Sequence, residues 1–363
     1  MYIVIFCSLV ALLLTYLESI NQLKRGMAWS FIIVTILGMI HYDYGNDYMS
    51  YYDVYKQVTS YTFDLSGILA KEYFREPGWV LLCWFFKYLG GFFMMVAVLN
   101  IVQNMLVYRV IKNYVESKWW PLSVFIYLFS TSLYLMNFSM MRQGFVICVF
   151  LALWPLIKEK KWYLVAPILW FCSTVHTSAL ILIPFAFAGL VPIGKGKVWA
   201  SVYVVGYLIL WFSGSTLNNL FMSFMSIEEF QNYADTYSTS NNTMKIGFGF
   251  AMNIIPFILG MMYLKDIESD FSHKLLVSIA LISFLVAPFS SIIPLTGRLG
   301  MYFGSYQMIA MPLIYKNLKR KEIQWALLFL FVFMRAYDYL IFFKSPVWVD
   351  KYSTFKTIFS QIL

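Results

Sequence analysis

Residues 91–111 read GFFMMVAVLNIVQNMLVYRVI, twenty-one residues with no acid and a single base, Arg109, close to one end. About 20 apolar residues is what a helix needs to cross the hydrocarbon of a bilayer. In lipid, only a helix or a closed barrel satisfies its own backbone. Comparable runs recur on both sides, giving candidate spans at about 1–18, 27–41, 91–111, 119–136, 141–157, 162–176, 177–193, 198–214, 247–264, 274–290, 298–315 and 322–343. The fold class is therefore all-α: a polytopic integral membrane helical bundle of about 12 transmembrane helices, read as a single transmembrane domain over 1–363. The segment 78–89, GWVLLCWFFKYL, is apolar but short and runs into Gly90-Gly91, the pattern of a re-entrant or half helix.

Composition agrees. The chain is 61% hydrophobic, 20% aromatic and only 12% charged, with a mean hydropathy of +0.69, against about 25% charge in soluble domains. Cys7, Cys83, Cys148 and Cys172 lie in apolar runs without ligand-like spacing and read as small buried hydrophobes. The first sixteen residues lack a basic leader and a small-residue cleavage site, which predicts a retained first helix. The net charge of +9 does not point to nucleic acid, because the bases fall in short gaps between apolar runs.

Those gaps set an orientation. One set holds sixteen bases (Lys24 and Arg25, Arg109 to Lys118, Lys158 to Lys161, Lys195 and Lys197, Lys265 and Lys274, Lys316 to Lys321) and the opposite set nine. The richer set is expected in the cytoplasm, with both termini and two longer loops, 42–76 and 215–246, outside. The cytoplasmic links are too short for a nucleotide-binding domain. No glycine-rich phosphate loop or dinucleotide fingerprint is present, which argues against ATP-driven work. No internal repeat is visible, against an inverted-repeat transporter.

With charge so scarce, ionisable residues at outer helix ends are informative. The run 41–53, HYDYGNDYMSYYD, combines Asp43, Asp47 and Asp53 with Tyr48, Tyr51 and Tyr52. Such a run suits a sugar, whose apolar faces stack on rings and whose hydroxyls donate to carboxylates. It equally suits an interfacial aromatic belt with solvating acids. In 71–79, KEYFREPGW, Pro77 opens a helix with Glu76 at its N-terminus. Glu76 either caps that helix or lines a cavity with Arg75. In 137–144, NFSMMRQG, Arg142 offers five donors at a helix start, suited to a phosphate, or it snorkels to the interface; Gln143 adjoins it. His176, among Ser173, Thr174, Thr177 and Ser178, is either a helix–helix hydrogen-bonding group or a base near neutral pH. Arg298 and Tyr302 mark a further outer helix end after Pro294 and Gly297. No HExxH, cysteine–histidine cluster or aspartate-rich metal motif occurs. No metal site and no cofactor are expected, although the acidic external loop leaves room for Mg²⁺.

In order, HYDYGNDYMSYYDVY, REPGW, LMNFSMMRQGF, HTSALILIP and PLTGRLGMYF cover roughly residues 40–305. This series resembles the EpsG-like branch of Wzy-type bacterial polysaccharide polymerases of O-antigen (lipopolysaccharide), capsule or exopolysaccharide assembly. The resemblance implies a GT-C-like membrane glycosyltransferase in the cell inner (cytoplasmic) membrane, its active site facing the periplasm. Such an enzyme moves a growing glycan from undecaprenyl pyrophosphate onto a lipid-linked repeat unit. Its implied partners are the undecaprenyl-pyrophosphate-linked oligosaccharides, membrane lipid and a chain-length regulator protein, with no nucleic acid. Where many members carry an arginine near the end of the second helix, this chain has His41.

On that reading Arg142 and Arg298 stabilise the leaving pyrophosphate, with Arg75 a weaker candidate. His176 is the first choice of base and Asp47 the second. Asp43, Tyr48, Tyr51, Tyr52, Gln143 and Tyr302 bind substrate, and Glu76 positions the site. An O-antigen ligase would use the same donor but calls for a larger external domain. A flippase or transporter of the lipid-linked oligosaccharide would spread its charges along a central path, whereas here they cluster on one side.

Overall fold

The computed structural model describes all residues except 193–195, 226–246, 267–269, 291, 293 and 362–363. The chain is an all-α polytopic membrane protein. Among the described residues its strands are two residues each, β1 (His41–Tyr42) and β2 (Lys356–Thr357). It divides into two compact units, Met1–Val191 with Arg335–Leu363, and Pro192–Met334.

The first unit is built from α1 (Tyr2–Ser19), α2 (Gly26–Ile40), α3 (Tyr48–Ser60), α4 (Leu65–Leu69), α5 (Pro77–Leu89), α6 (Gly91–Tyr114), α7 (Trp120–Phe129), α8 (Tyr134–Ser139), α9 (Met141–Ala152), α10 (Trp154–Lys158) and α11 (Trp162–Val175). A 3₁₀ helix, Thr177–Leu190, follows α11. The opening stretch is the core of α6, which at 1.5 Å per residue runs about 36 Å. Among the described residues, five helices are long and apolar enough to cross a membrane: Tyr2–Ser19, Gly91–Tyr114, Lys197–Gly214, Phe271–Phe289 and Lys321–Phe342.

Other expected spans are shorter or broken. The stretch 119–136 splits into α7 and α8 at Ser130-Thr131-Ser132, where Thr131 Oγ1 donates to Asp338 Oδ2 (3.4 Å). The stretch 141–157 splits before Pro155, which lacks the N–H that would continue α9. The stretch 298–315 splits into Pro294–Gly304 and Gln307–Lys316. The 3₁₀ helix covers about 28 Å with only fourteen residues, because its rise is near 2.0 Å. At thirteen residues, α5 is about 20 Å long and too short to cross. It turns into α6 through Gly90 and Gly91, at φ 124° and 81°, a region only glycine enters freely.

The expected loop 42–76 contains α3 and α4. Tyr48, Tyr51, Tyr55 and Val58 recur at helical spacing, and α3 packs through Tyr48, Tyr51 and Val58 into a core with Trp79, Cys83, Trp84, Phe92 and Met95. Asp64 caps α4, accepting from Ser66 N (3.0 Å) and Gly67 N (3.0 Å).

In the second unit, helices Gly196–Met225, Phe248–Asp266, Phe271–Val286, Pro294–Gly304 and Gln307–Lys316 are followed by the first part of Lys321–Phe342. The loop expected at 215–246 begins as helix through Met225, and 226–246 lies outside the described residues. Gln307 Nε2 donates to Ser283 Oγ (2.7 Å), and Gln324 Nε2 to Tyr315 O (2.6 Å).

Candidate functional site

Glu76 is the centre of the site. As the residue before a proline it is held extended (φ −115°, ψ 91°), and its backbone carbonyl accepts from Trp79 N and Val80 N. Its carboxylate does not cap α5. It turns across the unit instead and is fully buried. A buried carboxylate is tolerated only when paired and hydrogen-bonded, and this one takes partners from three elements. Arg142, the second residue of α9, donates from Nη1 to Oε2. Thr177 donates its backbone N–H (2.9 Å) and Oγ1 (3.3 Å) to Oε1. His176 brings Nδ1 to 3.3 Å from Oε1, and Arg75 Nε lies 3.7 Å from Oε2.

Backbone features explain the convergence. A Cβ at Gly78 would collide with Thr174 Oγ1, so glycine is what lets α5 lie against the end of α11. His176 ends α11 in an extended conformation (φ −149°, ψ 109°), which directs the Thr177 N–H away from the helix axis. A Cβ at Gly144 would meet Asn137 Oδ1, so the short α8 folds back against the start of α9. The Arg142 guanidinium lies among three rings, 5.0 Å from the Tyr51 centroid, 5.2 Å from Phe74 and 5.7 Å from Trp79. Its side chain is 11% exposed, that of His176 8% and that of Arg75 44%.

A second cluster fixes the 41–47 segment. Asp43, with φ 44°, pairs with Lys351 Nζ (2.8 Å) and Lys356 Nζ (3.2 Å) of the C-terminal segment. Burial works to raise its carboxyl, but the two lysines win and hold it below the usual carboxylate range. β1 and β2 pair antiparallel, Asn46 Nδ2 donates to Val347 O (2.9 Å), and the buried Tyr352 donates to Leu135 O (2.9 Å). Asp43 is thus engaged within the protein rather than presented to a substrate.

The other expected residues divide. Tyr51, Glu76, Arg142 and His176 come together, with Arg75 at the edge. Tyr48 is fully buried, its ring edge-on to His41 (4.9 Å) and Phe92 (5.5 Å), so it offers no face to a sugar. Tyr52 keeps partial exposure and stacks on Phe93. Asp47 begins α3, its backbone N–H donating to Ser139 Oγ (3.2 Å). Gln143 is buried one residue beyond Arg142. His41 ends α2, buried, with Nδ1 2.7 Å from Gly38 O; it is a helix-end residue. In the second unit, Arg298 lies partly buried on Pro294–Gly304, and Tyr302 of the same helix is fully buried. Sequence reasoning missed Thr177, Phe74 and Trp79 as partners. Only their adjacency to His176, Arg75 and Glu76 marked them.

A family model described as the EpsG family matches residues 27–356. The chain belongs to the EpsG family. The match spans both units, and EpsG membership makes the chain a polysaccharide-polymerase-type membrane protein with glycosyltransferase-like chemistry. No curated protein and no solved structure matches it.

Proposed function

We propose that this EpsG-family protein is a repeat-unit polymerase that transfers a growing glycan from undecaprenyl pyrophosphate to a lipid-linked repeat unit at the periplasmic face of the inner membrane. The observation that carries this reading is the buried Glu76 held by Arg142, His176 and Thr177. That arrangement sets a permanent cation and an imidazole on one carboxylate.

In the reaction the anomeric C–O bond to pyrophosphate breaks, and its electron pair leaves with the phosphate oxygen. The acceptor hydroxyl oxygen forms the new glycosidic bond and gives up its proton. Arg142 uses one of its five donors on Glu76, and the guanidinium retains donors for the leaving group. A preorganised donor of this kind supplies about 3–4 kcal/mol. The Glu76 charge favours a proton on His176 Nδ1, which leaves Nε2 basic for the hydroxyl proton. Glu76 is a positioning residue, as an orienting acid is beside a catalytic histidine. Arg75 is assigned as a weaker anion ligand and Asp47 as the alternative base. Tyr52, which keeps partial exposure, is the aromatic residue assigned to the sugars, and Tyr51 backs the Arg142 guanidinium.

The test is polymerisation in vitro with a purified lipid-linked repeat unit, with and without EDTA. Elongated products that persist in EDTA are expected. A pure protein that leaves the repeat unit unextended, yet transfers it to lipid A core, would make it a ligase and overturn the proposal.

A further inference from the structure

Away from this site, α2 and α6 of the first unit enclose a groove of about 440 Å³, open along one side, lined by Ala28, Ile32, Ile36, Met39, Ile101 and Met105 among others. Its floor is Phe31, packed on Tyr108 (5.5 Å) and Tyr127 (5.8 Å). The few polar groups in the wall are satisfied internally. Thr35 Oγ1 donates to Phe31 O (2.6 Å), and Asn104 Oδ1 accepts from Tyr127 (2.9 Å). What the groove presents is hydrocarbon, and Ile32, Ile36, Ile101 and Met105 are exposed along it.

One end is different. Tyr108 accepts from Lys112 Nζ (2.9 Å), one turn further along α6, and Lys112 interacts electrostatically with Arg25, which precedes α2. Lys24 and Arg109 are exposed at the same helix ends. The one acid in this group, Glu18, is bound to Met27 N (2.7 Å). The groove therefore runs from apolar walls to Lys112 and Arg25, offset by one acid, with Lys24 and Arg109 exposed near the same helix ends.

We infer that this groove binds an anionic membrane phospholipid, with an acyl chain between α2 and α6 and its phosphate among Arg25, Arg109 and Lys112. Length supports a single acyl chain. From Ala28 to Met39 the helix rises about 17 Å, close to the roughly 15 Å of one leaflet's hydrocarbon. Charge selects the headgroup, because each basic residue near a membrane surface favours an anionic lipid about fivefold.

Native mass spectrometry of the full-length protein, titrated with phosphatidylglycerol or phosphatidylcholine of identical chains, tests this. Phosphatidylglycerol adducts are expected at concentrations at least about tenfold lower. The exposed double variant Arg25→Ala/Lys112→Ala should remove most of that preference while leaving phosphatidylcholine adducts unchanged. Ala28→Phe, which fills the groove, should reduce both. Equal retention of the two lipids by the wild type, or an undiminished preference in the double variant, would overturn the inference. So would displacement of phosphatidylglycerol by inorganic phosphate alone, or by a polyprenyl phosphate at lower concentration.

Discussion

The backbone N–H of Thr177 donates to Glu76 Oε1 over 2.9 Å, joining residues 101 apart in sequence. The same oxygen lies 3.3 Å from His176 Nδ1, and the other carboxylate oxygen takes Arg142. One carboxylate thus ties the start of α5 to the start of α9 and to the junction after α11. The histidine and the arginine both meet this one carboxylate.

Stability should depend on this acid. Glu76→Ala leaves Arg142 buried without its counter-charge, a change that costs about 3–5 kcal/mol. Glu76→Gln keeps an acceptor for Thr177 and should cost less. Thermal unfolding of the detergent-solubilised variants checks the order. If Glu76→Ala melts with the wild type, the ion pair is not holding the three elements together.

Arg142→Lys retains a positive charge beside Glu76 but loses the planar fork. Transfer is expected to fall about 100-fold or more, the typical loss when one preorganised donor goes. Glycan chain lengths and the rate of product formation in vitro report it. An unchanged rate would remove the guanidinium from the chemistry.

For His176 the informative readout is a pH profile. A base works only when unprotonated, so wild-type rate should rise with pH as the catalytic group loses its proton. His176→Gln preserves hydrogen bonding but not basicity, and it should lower the rate and abolish that rise. Retention of the rise at a reduced rate would assign the titrating group elsewhere, with Asp47 the next residue to vary.

The Asp43 pairs predict a small, pH-dependent contribution. The folded carboxyl titrates below its ordinary value, so the stabilisation is complete above about pH 4 and is lost as pH falls through the folded value. Both lysines are more than a third exposed, which limits the effect to about 1 kcal/mol or less. Lys351→Ala/Lys356→Ala should melt slightly below wild type at pH 7, and the deficit should shrink as pH falls below the ordinary carboxylate range. A deficit that stays constant down to the acid limit of folding would place the effect in packing rather than charge.

Much of the helix inventory was legible because bilayer-length apolar runs need no partner to be helical, as 91–111 and 322–343 illustrate. Where the run 141–157 broke, the reason was local: Pro155. The helix α3 was hidden because its stripe is made of tyrosines among acids, which read as a loop suited to sugar. Once folded, that stripe buries Tyr48 and Tyr51.

For the candidate site, the sequence by itself determined which residues were under constraint. Glu76, Arg142 and His176 are ionisable groups in a chain only 12% charged, and such groups at apolar helix ends must find partners. It also determined that Pro77 would start a helix beside Glu76. Only the tertiary structure decided who pairs with whom. Burial requires a counter-charge but does not choose it, and the choice among Arg75, Arg142 and the lysines was made by helix packing. Gly78 brings α5 against α11, and Gly144 seats α8 on α9, so Glu76 meets Arg142 and Thr177. Asp43 meanwhile turns to Lys351, 308 residues away.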